Sequence, residues 1–226
     1  MENSNDDLAA ALFYLLGEPV PYNSARLDEA KRILREVKDH DKQLLKIIEL
    51  CGKQKTPKQL YLACKAYSWL GKKYYKDAAR CATEYLRTPG WKELPSRTKI
   101  ENGIRIDYAA AGKAAVLADL AKAQEGLNRL EDALASLMEA YRIAPHSAMY
   151  AVKASDTLAR LRGREEALLF LMQQTKSKYY SPVRYTDLQG RTRVNDLFKQ
   201  LLDAHIRKMS NKEQQPDYTT TLPGKA

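Results

Sequence analysis

The residues best suited to proton transfer, metal ligation or nucleophilic attack are few in this chain: His40, His146 and His205, and Cys51, Cys64 and Cys81. A hydrolytic triad or a metal centre needs such groups to converge with a nucleophile, a base or further ligands. The histidines stand apart. His40 and His205 follow aspartates in "DH" and "DAH", and His146 directly follows Pro145; all three read as surface or helix-edge residues. No GxGxxG, Walker-type loop, HExxH or GxSxG occurs, and the cysteines show neither CxxC nor Cys/His ligand spacing. An odd number of cysteines, each beside apolar residues in a helical pattern, reads as buried reduced thiols. The expectation is a non-catalytic protein without metal or cofactor.

Charge offers a different chemistry. The chain carries 38 Lys and Arg against 28 Asp and Glu, a net charge of +10. The excess gathers at Lys53, Lys55, Lys58, Lys65, Lys72, Lys73, Lys76 and Arg80, and again between Arg160 and Arg193. Runs of this kind contact phosphates or acidic partners, or form solvated helix faces. With Tyr179, Tyr180 and Tyr185 as stacking rings, nucleic acid is a second class of partner to weigh beside protein.

The elements that must position these residues read as helices. Ala, Leu, Lys, Glu and Arg dominate while Val and Ile are sparse, which points to an all-α fold. No stretch approaches the roughly 20 apolar residues of a membrane span. The most apolar segment, 8–17, follows acidic residues and lacks the basic start of a secretory leader, so a cytoplasmic protein without membrane contact is expected. Residues 1–5 read as a frayed start and 210–226 as a disordered tail. Between them a single domain, 6–209, divides into hairpins at 6–38, 57–88, 97–144 and 147–176, with a short helix at 41–52. Thr56-Pro57 caps the second hairpin. A long helical run is expected from 97 to 125, and 91–113 reads as an extension that lengthens the first helix of that hairpin. A loop is expected around 179–190 and a last helix over 192–208.

Four segments share a pattern: "LDEA" at 27–30, "YKDA" at 75–78, "LEDA" at 130–133 and "REEA" at 164–167. Each places an acid immediately before an alanine near a helix start. Ala133 and Ala167 lie 34 positions apart, and the pairs Ala78/Ala133 and Gly71/Gly126 are each displaced by 55. Acids in a first turn complement the helix dipole, and an alanine one turn in lets a second helix approach closely. Pro145 stops the helix before it.

On these residues the chain resembles the tetratricopeptide-repeat family, whose period is about 34 residues. In the best unit, 114–147, Leu117, Leu120, Ala121, Leu130, Ala133, Leu137, Ala140 and Pro145 fall at the family's core positions. Gln124 stands where an aromatic is preferred, and Gly126 is displaced by about two places. Weaker units keep Leu62, Ala66, Trp69, Tyr75 and Ala78, then Leu158, Ala167 and Leu171, with Gln174 at a usually small position. The resemblance implies an α-solenoid of about four antiparallel hairpins closed by the C-terminal helix, with Trp69 in the core. It implies a protein-binding scaffold or adaptor that holds a partner segment in a concave groove or at an array end. The groove positions it implies are Ala63, Tyr67 and Leu70, then Ala118, Lys122 and Glu125, then Val152, Asp156 and Ala159. The lysine-and-asparagine clamp that one subgroup uses for chaperone tails is absent. A peptide-sensing regulator would carry a DNA-binding segment ahead of the array, and 1–55 shows no clear one.

Overall fold

In the computed structural model the described residues are 11–12, 39–52, 56–88 and 98–211. The frayed start, the first hairpin at 6–38 with its "LDEA", Lys53, Lys55, most of the 88–97 loop and most of the tail lie outside them. The described helices are α1 (His40–Leu50), α2 (Pro57–Leu70), α3 (Tyr75–Arg87), α4 (Tyr108–Gly126), α5 (Leu130–Ile143), α6 (Ala148–Arg162), α7 (Arg164–Gln174) and α8 (Leu197–Asn211). The chain is mostly helical, as its composition dictates. The chain divides into two compact units, one running to Ala144 without Asn102–Ile104, the other comprising those three residues and Pro145 onward.

In the first unit, α2 begins in a reciprocal cap. Thr56 Oγ1 accepts from Gln59 N, and Gln59 Oε1 accepts from Thr56 N at 2.9 Å. Gly71, at φ 85°, ends α2 and feeds a single 3₁₀ turn into α3. The helices of each hairpin pack together, α2 with α3 and α4 with α5, and α4 also touches both members of the preceding hairpin. The core consists of Leu60, Cys64, Cys81, Ala82, Tyr85, Val116 and their neighbours. Ala78, Ala133 and Ala140 are wholly buried, so the alanines expected at close approaches do lie there. The three cysteines are free and buried.

The second unit repeats that arrangement. Gly163, at φ 97°, alone joins α6 to α7, and α8 packs on both. Ala151, Ala154, Ala167 and Leu171 are fully buried, and Phe198, Leu202, His205 and Met209 form the inward ridge of α8. Tyr180 is stapled to that helix: its hydroxyl donates to Asp203 Oδ1 at 2.7 Å, while Lys199 Nζ donates to Tyr180 Oη at 2.9 Å and to Asp203 Oδ2 at 2.7 Å.

Two small sheets correct the all-α expectation. The helical run expected from 97 is instead a hairpin, β1 (Thr98–Glu101) and β2 (Ile104–Asp107), with α4 starting only at Tyr108. Asn102 and Gly103 both have positive φ, 49° and 80°, as a two-residue hairpin turn requires, and "TKIENGIRID" alternates around that Asn-Gly pair. The expected loop and the start of the last helix hold β3 (Val183–Thr186) and β4 (Thr192–Asn195), antiparallel with Val183 opposite Asn195 and Thr186 opposite Thr192. Asp187 organises their turn by accepting from the backbone N–H groups of Gln189 and Arg191 and from the Arg191 and Arg193 guanidinium groups. The Asn102-Gly103 turn belongs to this unit. A Cβ on Gly103 would lie 2.7 Å from Val183 Cγ1, and Asn195 Nδ2 donates to Asn102 O at 3.1 Å.

Candidate functional site

The positions implied for a groove divide between the two units, and within the first most serve the scaffold. Ala63 and Ala118 are buried rather than groove-lining, because the helices approach too closely there for either to face solvent. Leu70 packs on the core beside α1, and Tyr67 packs on the same core with its ring stacked on Tyr74 at 5.9 Å. Burial raises the Tyr67 hydroxyl above its ordinary range. Lys122 is exposed, but its Nζ donates to Ser68 O at 2.9 Å, satisfying a carbonyl in the last turn of α2. It also lies 5.5 Å from the centroid of Trp69. Trp69 is therefore not a core residue: it is 49% exposed, since α2 turns Leu62, Ala66 and Ser68 inward instead. Glu125 is half-buried near the end of α4.

Gln124, the departure from an aromatic, has a physical role. Its Oε1 accepts from Ser136 Oγ at 2.8 Å, with both residues buried. The α4–α5 hairpin thus carries a satisfied polar pair at this position.

In the second unit the remaining positions come together. Val152 lies on the wall of an open cavity of about 390 Å³ between α6 and α8, which it shares with Met149, Leu201, Ala204, His205 and Lys208. Asp156, one turn on, reaches His205, with Oδ1 3.0 Å from Nε2. That approach is off line for a hydrogen bond, so the buried Nε2 has no aligned partner. His205 is thus neither a surface nor a helix-edge residue; at four residues before Met209 and three after Leu202 it falls on the inward ridge of α8. Ala159 is half-buried on α6. The adjacent ridge of α8, Leu197, Leu201, Ala204 and Lys208, faces outward, with Leu197 60% and Leu201 43% exposed. Met149 on α6 is 44% exposed. The result is an apolar groove between two helices, with an acid on α6 and a lysine on α8.

His40 is exposed at the start of α1, and the other reactive groups are engaged in packing. Burial, reinforced by Asp119 and Cys81, pushes the Cys64 thiol well above its usual range, which makes it a poor nucleophile. His146 is half-buried with its ring 6.1 Å from Tyr179, and burial lowers its pKa. Tyr179 also packs on Phe198, and Tyr180 is held by Lys199 and Asp203, so neither ring is a free stacking platform. Among the described residues no group of three or more His, Cys, Asp and Glu could hold a metal, and no helix is long and apolar enough to cross a membrane. No protein-family model matches the chain, and no curated protein matches it.

Proposed function

We propose that the chain is a non-catalytic adaptor built of stacked tetratricopeptide-like hairpins, and that it holds an amphipathic helical segment of a partner protein in the groove between α6 and α8. The observation that carries this reading is the solvent-open apolar groove formed by Met149, Val152, Leu201 and Ala204. Apolar side chains left open to water at the centre of a concave surface gain most by receiving a partner's apolar ridge. A groove between two helices suits a third helix whose anchors recur at i, i+3 or i+4, and i+7. Asp156 and Lys208 then set direction by pairing with opposite charges on the segment. The packing of α4 on both helices of one hairpin, and of α8 on both helices of another, supports the stacked-hairpin reading.

Nucleic acid ranks second, because Tyr179 and Tyr180 are committed to internal contacts.

A displayed library of random helical segments, selected on the immobilised chain, tests the proposal. Selected segments should carry the i, i+3 or i+4, i+7 apolar pattern, and Leu201→Glu or Val152→Glu should weaken their affinity by about tenfold or more, the effect of losing about 1.4 kcal/mol. Segments without that pattern, or affinities unchanged in both variants, would refute it.

A further inference from the structure

We infer that the first unit carries a second binding site, independent of the α6–α8 groove: a basic cleft that receives an extended acidic peptide segment. The cleft, about 520 Å³, lies between α3 and the turn joining α4 to α5. Lys76, Arg80 and Arg87 line it from one face of α3, at intervals of four and seven residues, and Arg129 faces them from the turn. From Lys76 to Arg87 the helix advances about 16 Å at 1.5 Å per residue. An extended chain covers that distance in about five residues at roughly 3.3 Å each.

The cations are available to different degrees. Arg80 pairs with Asp77 at 3.2 Å and Arg129 with Asp132 at 2.7 Å, both through exposed contacts that contribute little and exchange readily. Among the described residues no ion pair holds Lys76 or Arg87, which stand at the two ends of the cleft. These two anchor carboxylates near either end of the segment, and Arg80 and Arg129 add attraction between them.

The lining selects a peptide over a nucleic acid strand. Among the described residues no aromatic ring lines the cleft, so they offer bases nothing to stack on. Ala79 and Leu127 give it an apolar floor that fits a peptide backbone and small side chains. Glu84, inside the cleft, accepts a backbone N–H, a donor that a peptide has and a phosphodiester backbone lacks.

Fluorescence anisotropy with a labelled peptide of alternating glutamate and serine tests this, beside a glutamine–serine peptide and an oligothymidylate of similar length. The full chain should bind the glutamate peptide saturably at about 50 mM salt and more weakly at about 300 mM, as screening shortens the reach of the cations. Lys76→Glu with Arg87→Glu should weaken binding about tenfold or more, whereas Lys153→Glu with Arg184→Glu, the same charge change elsewhere on exposed surface, should leave it within about twofold. No saturable binding at low salt, equal loss in both double variants, or tighter binding of the oligothymidylate than of the peptide would each overturn the inference. Binding by segments selected for the α6–α8 groove plays no part in these outcomes, so either site can fail alone.

Discussion

Replacing Gly126 with alanine tests the packing of one hairpin on the next at a single atom. Gly126 is the last residue of α4, and the Tyr75 ring, from the start of α3, turns its Cδ2–Cε2 edge toward it. A Cβ at position 126 would sit 1.9 Å from Tyr75 Cε2 and 2.0 Å from Cδ2, so the ring must withdraw by roughly 1.5 Å to regain ordinary contact. Two effects oppose each other. Alanine favours helix over glycine by about 0.5–1 kcal/mol, while forcing an extra methyl into a packed site costs about 1–3 kcal/mol. The clash should win, so Gly126→Ala should destabilise by about 1–2 kcal/mol, lowering the urea midpoint by about 0.5–1 M at an ordinary slope. In a Tyr75→Ala background the methyl meets no ring, and the same change should stabilise by about 0.5 kcal/mol. Urea unfolding followed by circular dichroism on the four chains of this double-mutant cycle measures both numbers. A Gly126→Ala effect of the same sign and size in both backgrounds would refute the Tyr75–Gly126 contact, and with it the stated docking of α3 on the end of α4.

Further expectations concern the polar staples. Ser136→Ala leaves buried Gln124 Oε1 without its donor and should cost about 1–3 kcal/mol in urea unfolding, with Ser136→Thr recovering part of the loss. Lys199→Met removes the ammonium that, with the Tyr180 hydroxyl, holds the Asp203 carboxyl below its ordinary range, so the Asp203 titration midpoint followed by carbon-detected NMR should rise. Because the folded Asp203 pKa lies below the unfolded one, its stabilisation is present above about pH 4 and is lost as pH falls through the folded value; the melting temperature of Lys199→Met should fall less over that acidic window than that of the native chain. His146 behaves with the same sign for a different reason. Burial depresses its folded pKa, so stability is lost as pH falls below about 6.5, and His146→Phe should flatten the melting temperature between about pH 7 and pH 5.

What the sequence disclosed follows from which interactions are local. The Thr56 cap, the turn glycines Gly71 and Gly163 and the buried alanines Ala78, Ala133 and Ala167 depend on neighbours within a turn or two, and their residue types specify them. The hairpin at 98–107 was legible in its Asn-Gly turn but was outweighed by the strong helical pattern that follows. The second hairpin was harder to read, because "TRVN" runs almost directly into α8 and Asp187 acts through a turn of five residues. Trp69 and His205 were misplaced for opposite reasons. The repeat position of Trp69 points inward, but its neighbours Ala66 and Ser68 already fill that face; the residue type of His205 points outward, but its spacing from Leu202 and Met209 puts it on the inward ridge. The groove was half visible. The repeat pattern points to Val152 and Asp156, but Leu201, Ala204 and Lys208 enter the groove only because α8 packs on α6 across some fifty residues of sequence.

The methionines provide the most direct test of the groove. Met149 lies in it, whereas Met138 on α5 and Met172 on α7 are comparably exposed, at 41% and 53%, but do not line it. With carbon-13 methyl labels on methionine and a saturating library-selected segment, the Met149 signal should shift or broaden while Met138 and Met172 stay in place. Movement of Met138 or Met172 with Met149 unchanged would contradict the assignment of partner binding to the α6–α8 groove.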